Sequence, residues 1–134
     1  MDERIFHDLL RKGAQYKASD ALFKVGQPPA FRVGGALRYL KGDKLHPEQT
    51  RILAQIVLNE SRFKGNIDDI TEYDTAYAVP EVGRYRVSVY RQRGTLALAL
   101  RSIADAAKTD KPDDDAPRGG INVVRFGVGS NSAR

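Results

Sequence analysis

The sequence predicts a single α+β domain followed by a flexible C-terminal tail. Three observations carry that expectation. Residues 3–14 and the run after Pro47 repeat their apolar side chains at helical spacing. Over 73–103 the apolar period becomes two, as in strands with one buried face. Beyond Ile103 the chain turns rich in Asp, Lys and Pro, then in Gly and Ser, a composition that buries little. With 134 residues, 41% of them hydrophobic, the chain suits one modest core.

Taken in order, the first helix is expected over 3–14. Ile5, Phe6, Leu9 and Leu10 form its stripe, Asp2 is placed to cap it, and Gly13 and then Ala18-Ser19-Asp20 mark its exit. A strand follows at 21–25, and Gly26-Gln27-Pro28-Pro29 turns the chain. Residues 31–33 and 36–40 flank Gly34-Gly35, a hairpin signal because glycine accepts positive φ at no steric cost. Pro47 suits the first position of a second helix, with Glu48 at its positive end and Ile52, Leu53, Ile56 and Val57 as its stripe. Residues 62–70 are ambiguous, a short helix broken at Gly65-Asn66 being one reading. A three-stranded meander closes the domain, turning at 80–84 and at Arg93-Gly94. The boundaries that follow are a domain over 1–104, a linker over 105–118 and a Gly/Ser-rich tail over 119–134.

Composition removes several classes of chemistry. The chain has no Cys, so disulfides, thiolate nucleophiles and thiolate metal sites are excluded together, and no metal site is expected. His7 and His46 are its only imidazoles, and both read as structural. No apolar run approaches the roughly 18 residues of a membrane span, and the start, MDERIF, does not resemble a signal peptide. These features predict a cytoplasmic protein, at most peripheral to a membrane machine. The formal charge of +5 favours anionic partners. Nucleic acid is not expected, because the basic residues are scattered and no aromatic-and-basic stacking platform is present. Glu72 and Asp74 read as a solvated strand start rather than a catalytic pair.

The last hairpin carries the sharpest signal. A one-residue slip turns every side chain to the other face, so the apolar pattern fixes register. With Arg93-Gly94 as a two-residue loop, Val89 faces Leu98, Val87 faces Leu100, and Arg86 lies directly opposite Arg101. Slipping by one sets Arg86 against Leu100 and mixes the faces. Like charges facing each other on a sheet are destabilising. The neighbours on that face, Ala76, Ala78, Ser88, Ala97 and Ala99, are small, so two guanidinium forks stand on a low platform. Such forks grip phosphate oxygens in bidentate fashion. A phosphate site is one reading; a solvated arginine face is the other.

These residues also carry a family resemblance. "ASD" at 18–20, "GQPPAFRVGGAL" at 26–37, "EYDTAYAVPEVGRYRVSVYRQRG" at 72–94 and "LALRSI" at 98–103 resemble the N-terminal domain of the type IV pilus retraction (twitching motility) ATPases, members of the secretion ATPase superfamily. The resemblance runs in order from residue 3 to residue 103. It implies a PAS-like antiparallel sheet with helices packed on one face. It further implies that Arg86 and Arg101 reach the phosphates of a nucleotide held by a RecA-like domain, with Arg84 and Arg91 as lesser candidates. ATP and magnesium enter only through that RecA-like domain, of the same or a neighbouring subunit in a hexameric motor. This chain contains no Gly-Lys-Ser/Thr, the P-loop core that holds phosphate and magnesium. Its end, "PRGGINVVRFGVGSNSAR" at 117–134, resembles the strand and Gly-rich turn leading into a P-loop, with Asn131 near the expected lysine. The chain alone is therefore expected to hold no catalytic residue and not to hydrolyse ATP. The function implied is that of a truncated or isolated N-terminal motor domain. The alternatives are a stand-alone adaptor docking on such a motor, and a PAS-like sensor of a small ligand.

Overall fold

The computed structural model describes residues 1–103. The expected linker over 105–118, the tail over 119–134 and Asn131 lie outside the described residues.

Helix α1 spans Glu3–Gln15 and starts where Asp2 accepts the Ile5 N–H at 3.0 Å. Its buried face is Phe6, Leu10 and Gly13, while Ile5 is 45% exposed. The stripe is therefore rotated from the one expected, because i, i+4, i+7 points squarely at the sheet. The helix ends at Tyr16, and Lys17 takes a left-handed turn at φ 60°. Asp20 does not end this helix; it opens strand β1, Asp20–Phe23.

Strands β2 (Ala30–Val33) and β3 (Ala36–Tyr39) form the hairpin expected around Gly34-Gly35, whose φ values of 59° and 86° suit a type I′ turn. Helix α2, Pro47–Asn59, has proline in its first turn, and the Gln49 side chain accepts the His46 N–H at 2.8 Å. It buries Thr50, Leu53, Ala54, Val57 and Leu58, whereas Ile52 is 40% exposed. Here too the true stripe is displaced from the most hydrophobic positions. The ambiguous segment resolves into a 3-10 turn at Ile67–Asp69, capped by the Asn66 side chain. Strands β4 (Glu72–Val79), β5 (Gly83–Gln92) and β6 (Thr95–Ile103) follow.

The six strands form one antiparallel sheet in the order β3-β2-β1-β6-β5-β4. The meander is thus half a sheet, and β1 docks along β6 to join the other half. The inner face, with Phe23, Phe31, Tyr77, Val87, Val89, Leu98 and Leu100, packs against Phe6 and Leu10 of α1 and Leu53 and Val57 of α2. The Phe6 ring lies 5.6 Å from Phe23 and 5.7 Å from Tyr77, so α1 ties β1 to β4 across that face. Among the described residues no helix is long and apolar enough to cross a membrane.

Candidate functional site: a charged rung on the open sheet face

The expected hairpin register is observed. Arg93 and Gly94 adopt φ values of 55° and 80°, as a two-residue type I′ loop requires, and Gln92 pairs with Thr95. Val89 then faces Leu98, Val87 faces Leu100, and Arg86 faces Arg101.

The docking of β1 adds what the sequence did not display. Asp20 pairs with Arg101 on one side and with Arg32 on the other, and Ala76 pairs with Arg86. With Leu37 opposite Arg32, one rung runs Leu37–Arg32–Asp20–Arg101–Arg86–Ala76 across all six strands. It stands on the face away from the helices.

The geometry along this rung is uneven. Arg101 Nε donates to Asp20 Oδ2 at 3.3 Å, and Arg32 Nε lies 4.0 Å from Asp20 Oδ1. Ser19 Oγ donates to Asp20 Oδ1 at 2.6 Å. Asp20 is therefore a carboxylate held from three sides, 17% exposed at its side chain, whereas the Arg101 side chain is 72% exposed. Asp20 touches Arg101 through Nε, so the terminal nitrogens of that guanidinium remain available. Arg86 makes no hydrogen bond or ion pair among the described residues. Arg86, Arg101, Asp20, Asp74, Ser88 and Ala99 line an open depression of about 300 Å³. Its floor is low because Ser88 and Ala99 face each other in the next rung.

Arg84 lies on the same face as Arg86, between Ala78 and Ile103. Arg91 does not. Its guanidinium donates to the carbonyls of Ile70 at 2.9 Å, Ile67 at 3.2 Å and Asp68 at 3.3 Å. It holds the 3-10 turn against the sheet, apart from the other three arginines. His7 is half-buried at the sheet edge, where its Nε2 and the Tyr77 hydroxyl share a hydrogen bond at 2.7 Å. Burial, with Glu3 and Glu60 adding to it, pushes the Tyr77 hydroxyl up to about 12. Burial also raises the Tyr85 and Tyr90 hydroxyls. Glu72 and Asp74 are exposed at the start of β4. Among the described residues no group of three or more His, Cys, Asp or Glu converges as a metal site. The arginine pair offers guanidinium donors of the kind that phosphate oxygens accept.

Asp20 and Arg32 are the members of this site that sequence reasoning missed. The only local signal was the "ASD" triplet, which read as a helix exit, because the β1–β6 pairing joins residues 81 positions apart.

No protein-family model matches the chain. Curated proteins do. The type IV pilus ATPase PilU of Pseudomonas aeruginosa is 33% identical over 98 residues, covering 73% of this chain and 25% of PilU. The type IV pilus retraction ATPase PilT of the same organism is 29% identical over 126 residues, covering 87% of this chain and 36% of PilT. The chain thus spans about a quarter to a third of the length of these relatives. Among solved structures, the pilus retraction motor PilT with bound ADP matches at a TM-score of 0.65 and 34% identity, over 73% of this chain and 29% of that one. The DotB ATPase of Legionella pneumophila shares the fold, at a TM-score of 0.60 and 22% identity, over 82% of this chain and 32% of that one. The six-stranded α+β arrangement is the one found in the N-terminal domain of PilT. The chain is a homologue of the N-terminal portion of the type IV pilus ATPases PilU and PilT.

Proposed function

We propose that this chain acts as the N-terminal module of a cytoplasmic, hexameric pilus-retraction motor, contributing Arg86 and Arg101 to the phosphates of a nucleotide held by a separate RecA-like domain. The observation that carries the proposal is the directly opposed Arg86–Arg101 pair, one member of it without a partner among the described residues. Opposed like charges weaken a sheet, and an oxyanion between them reverses that penalty. The ADP-bound PilT structure supports a nucleotide as the source of the oxyanion.

The mechanism is electrostatic. Guanidinium groups anchored on a rigid sheet place positive charge where phosphate charge must be balanced, with little reorganisation. Asp20 holds Arg101 by Nε and leaves its terminal nitrogens to the ligand. Because both arginines belong to adjacent strands, nucleotide occupancy is transmitted to the whole domain as a rigid body. ATP and magnesium are bound through the RecA-like domain; this chain's part is charge and position. Arg84, next on the same face, is a secondary contact. Arg91 is not, since its donors are spent on backbone carbonyls. A small-ligand sensor finds less support. Among the described residues, the gap between α1 and the sheet lined by Leu10, Gly13, Phe31 and Tyr85 is about 10 Å³, room for a single water at most.

The test is calorimetry with a non-hydrolysable ATP analogue and magnesium. The chain is measured alone, then mixed with a pilus ATPase lacking its own N-terminal domain. Binding that tightens only in the mixture, and is lost with Arg86→Ala/Arg101→Ala, is the expected result. A mixture indistinguishable from the ATPase alone refutes the proposal and favours an adaptor or a solvated arginine face.

A further inference from the structure

We propose that the free edge of β4 is a self-association surface that pairs antiparallel with the β4 of a second copy about a twofold axis at Thr75. Strand β4 ends the sheet and runs eight residues in unbroken register with β5. Its other edge pairs with no strand among the described residues. Natural sheets blunt such edges with charged side chains, lysine above all, and with proline, bulges or shortness. The sequence EYDTAYAV has no lysine or proline and pairs without a bulge; its two charges, Glu72 and Asp74, are both acidic.

The charges select both the partner and the register. Residues directly opposite each other must share a sheet face. With the twofold at Thr75, Ala78 faces the partner's Glu72 and Ala76 faces the partner's Asp74. Within the chain, Ala78 is paired with Arg84 and Ala76 with Arg86. Each arginine thus stands two strands, about 10 Å, from an acid of the partner, with only an alanine methyl between. Both side chains are long enough to close that gap, and neither has a hydrogen bond or ion pair among the described residues.

Neighbouring registers are poorer. Centring on Asp74 places Asp74 against itself. Centring on Ala76 leaves Arg86 facing alanines and keeps one ion pair of the two. On the inner face the Thr75 register sets Tyr73 against the partner's Tyr77 and Thr75 against itself, aromatic and threonine pairs that sheets favour. Phe63 packs on Tyr73 at 5.1 Å, so its neighbours Arg62 and Lys64 would be carried toward the partner's Glu3 and Glu60, which line the depression beside Tyr77.

Arg86 then has two claimants, the oxyanion of the proposed function and the partner's Asp74, so the measurement is made in phosphate-free, nucleotide-free buffer. Sedimentation equilibrium of the full chain from about 10 μM to about 1 mM is expected to show a monomer–dimer equilibrium. Glu72→Arg and Arg84→Glu are each expected to loosen it about tenfold, since each pair occurs twice in the dimer. The double variant, Glu72→Arg with Arg84→Glu, is expected to restore it. Unfolding curves establish that all three variants fold, and amide exchange on β4 is expected to slow as concentration rises. A monomer throughout, or a double variant as weak as the singles, overturns the proposal. Protection of β4 that is independent of concentration also overturns it, by placing another segment of the same chain on the edge.

Discussion

Replacing Arg86 with glutamine is expected to make the domain more stable. The substitution keeps most of the aliphatic stem and removes the charge that faces Arg101. Arg86 has no hydrogen bond or ion pair among the described residues, so nothing is orphaned. The repulsion relieved lies in the range of directly opposed cross-strand pairs, about 0.2–1 kcal/mol. For a domain of about 100 residues this corresponds to a rise in Tm of roughly 1 to 8 °C. Arg101→Gln relieves the same repulsion but leaves Asp20, 17% exposed at its side chain, with Arg32 at 4.0 Å as its remaining ion-pair partner. An ion pair this exposed at its arginine end contributes about 0–1 kcal/mol, so the second substitution is expected to be close to neutral or mildly destabilising. The assay is thermal and urea unfolding of both variants at low salt and near 1 M salt. Screening should shrink the Arg86→Gln gain, because the Debye length falls to about 3 Å at that salt. A loss of stability on Arg86→Gln at low salt, or a gain unaffected by salt, would refute the reasoning that these arginines oppose each other in the absence of a ligand.

Further predictions concern the frame that holds the site. Gly13→Ala would place a Cβ 2.6 Å and 2.7 Å from the Phe31 ring, which is 1% exposed and has no room to retreat. Overpacking costs about 1–3 kcal/mol against a helix-propensity gain of about 1 kcal/mol; urea unfolding should show net destabilisation, largely relieved when Phe31→Leu is added. The Tyr77 hydroxyl, raised to about 12 in the fold from an unfolded value near 10, is protonated in the native chain where the unfolded chain has lost its proton. Its contribution is therefore full below pH 10 and is lost as pH climbs toward 12, and the fall in urea midpoint over that window should be shallower in Tyr77→Phe, with Tyr85 and Tyr90 supplying what slope remains. Arg91→Ala removes the donors to Ile67, Asp68 and Ile70, so amide exchange should quicken at 67–70, while the anion binding proposed for the Arg86–Arg101 depression should be unchanged.

What could be read from the sequence follows the range of the interactions. The β5–β6 register was legible because the code for it, alternation plus a two-residue turn, is local to about twenty residues. The Asp2 cap, the Gly34-Gly35 hairpin and Pro47 were legible for the same reason. The helix stripes were misjudged by one position each. Ile5 and Ile52 are hydrophobic but stand partly in solvent, because the sheet and not hydrophobicity alone decides which face is buried. The carboxylate partner of Arg101, Asp20, was not legible at all. That contact depends on β1 lying beside β6, a pairing without a local signature, and so a strand-opening aspartate passed for a helix exit.

That same pairing sets the order in which the domain can be finished. Contacts between β1 and β6 close a loop of about eighty residues, the kind of closure whose entropy is recovered late. The meander of β4 to β6 can form from near neighbours, and so can the β2–β3 hairpin. Until β1 bridges them the chain carries two half-sheets with open edges. On a ribosome, β1 leaves the exit tunnel first and must wait for Thr95–Ile103 before it has a neighbour on that side. Arg86 and Arg101 come face to face with the hairpin, and Asp20 joins them only when β1 docks and completes the sheet.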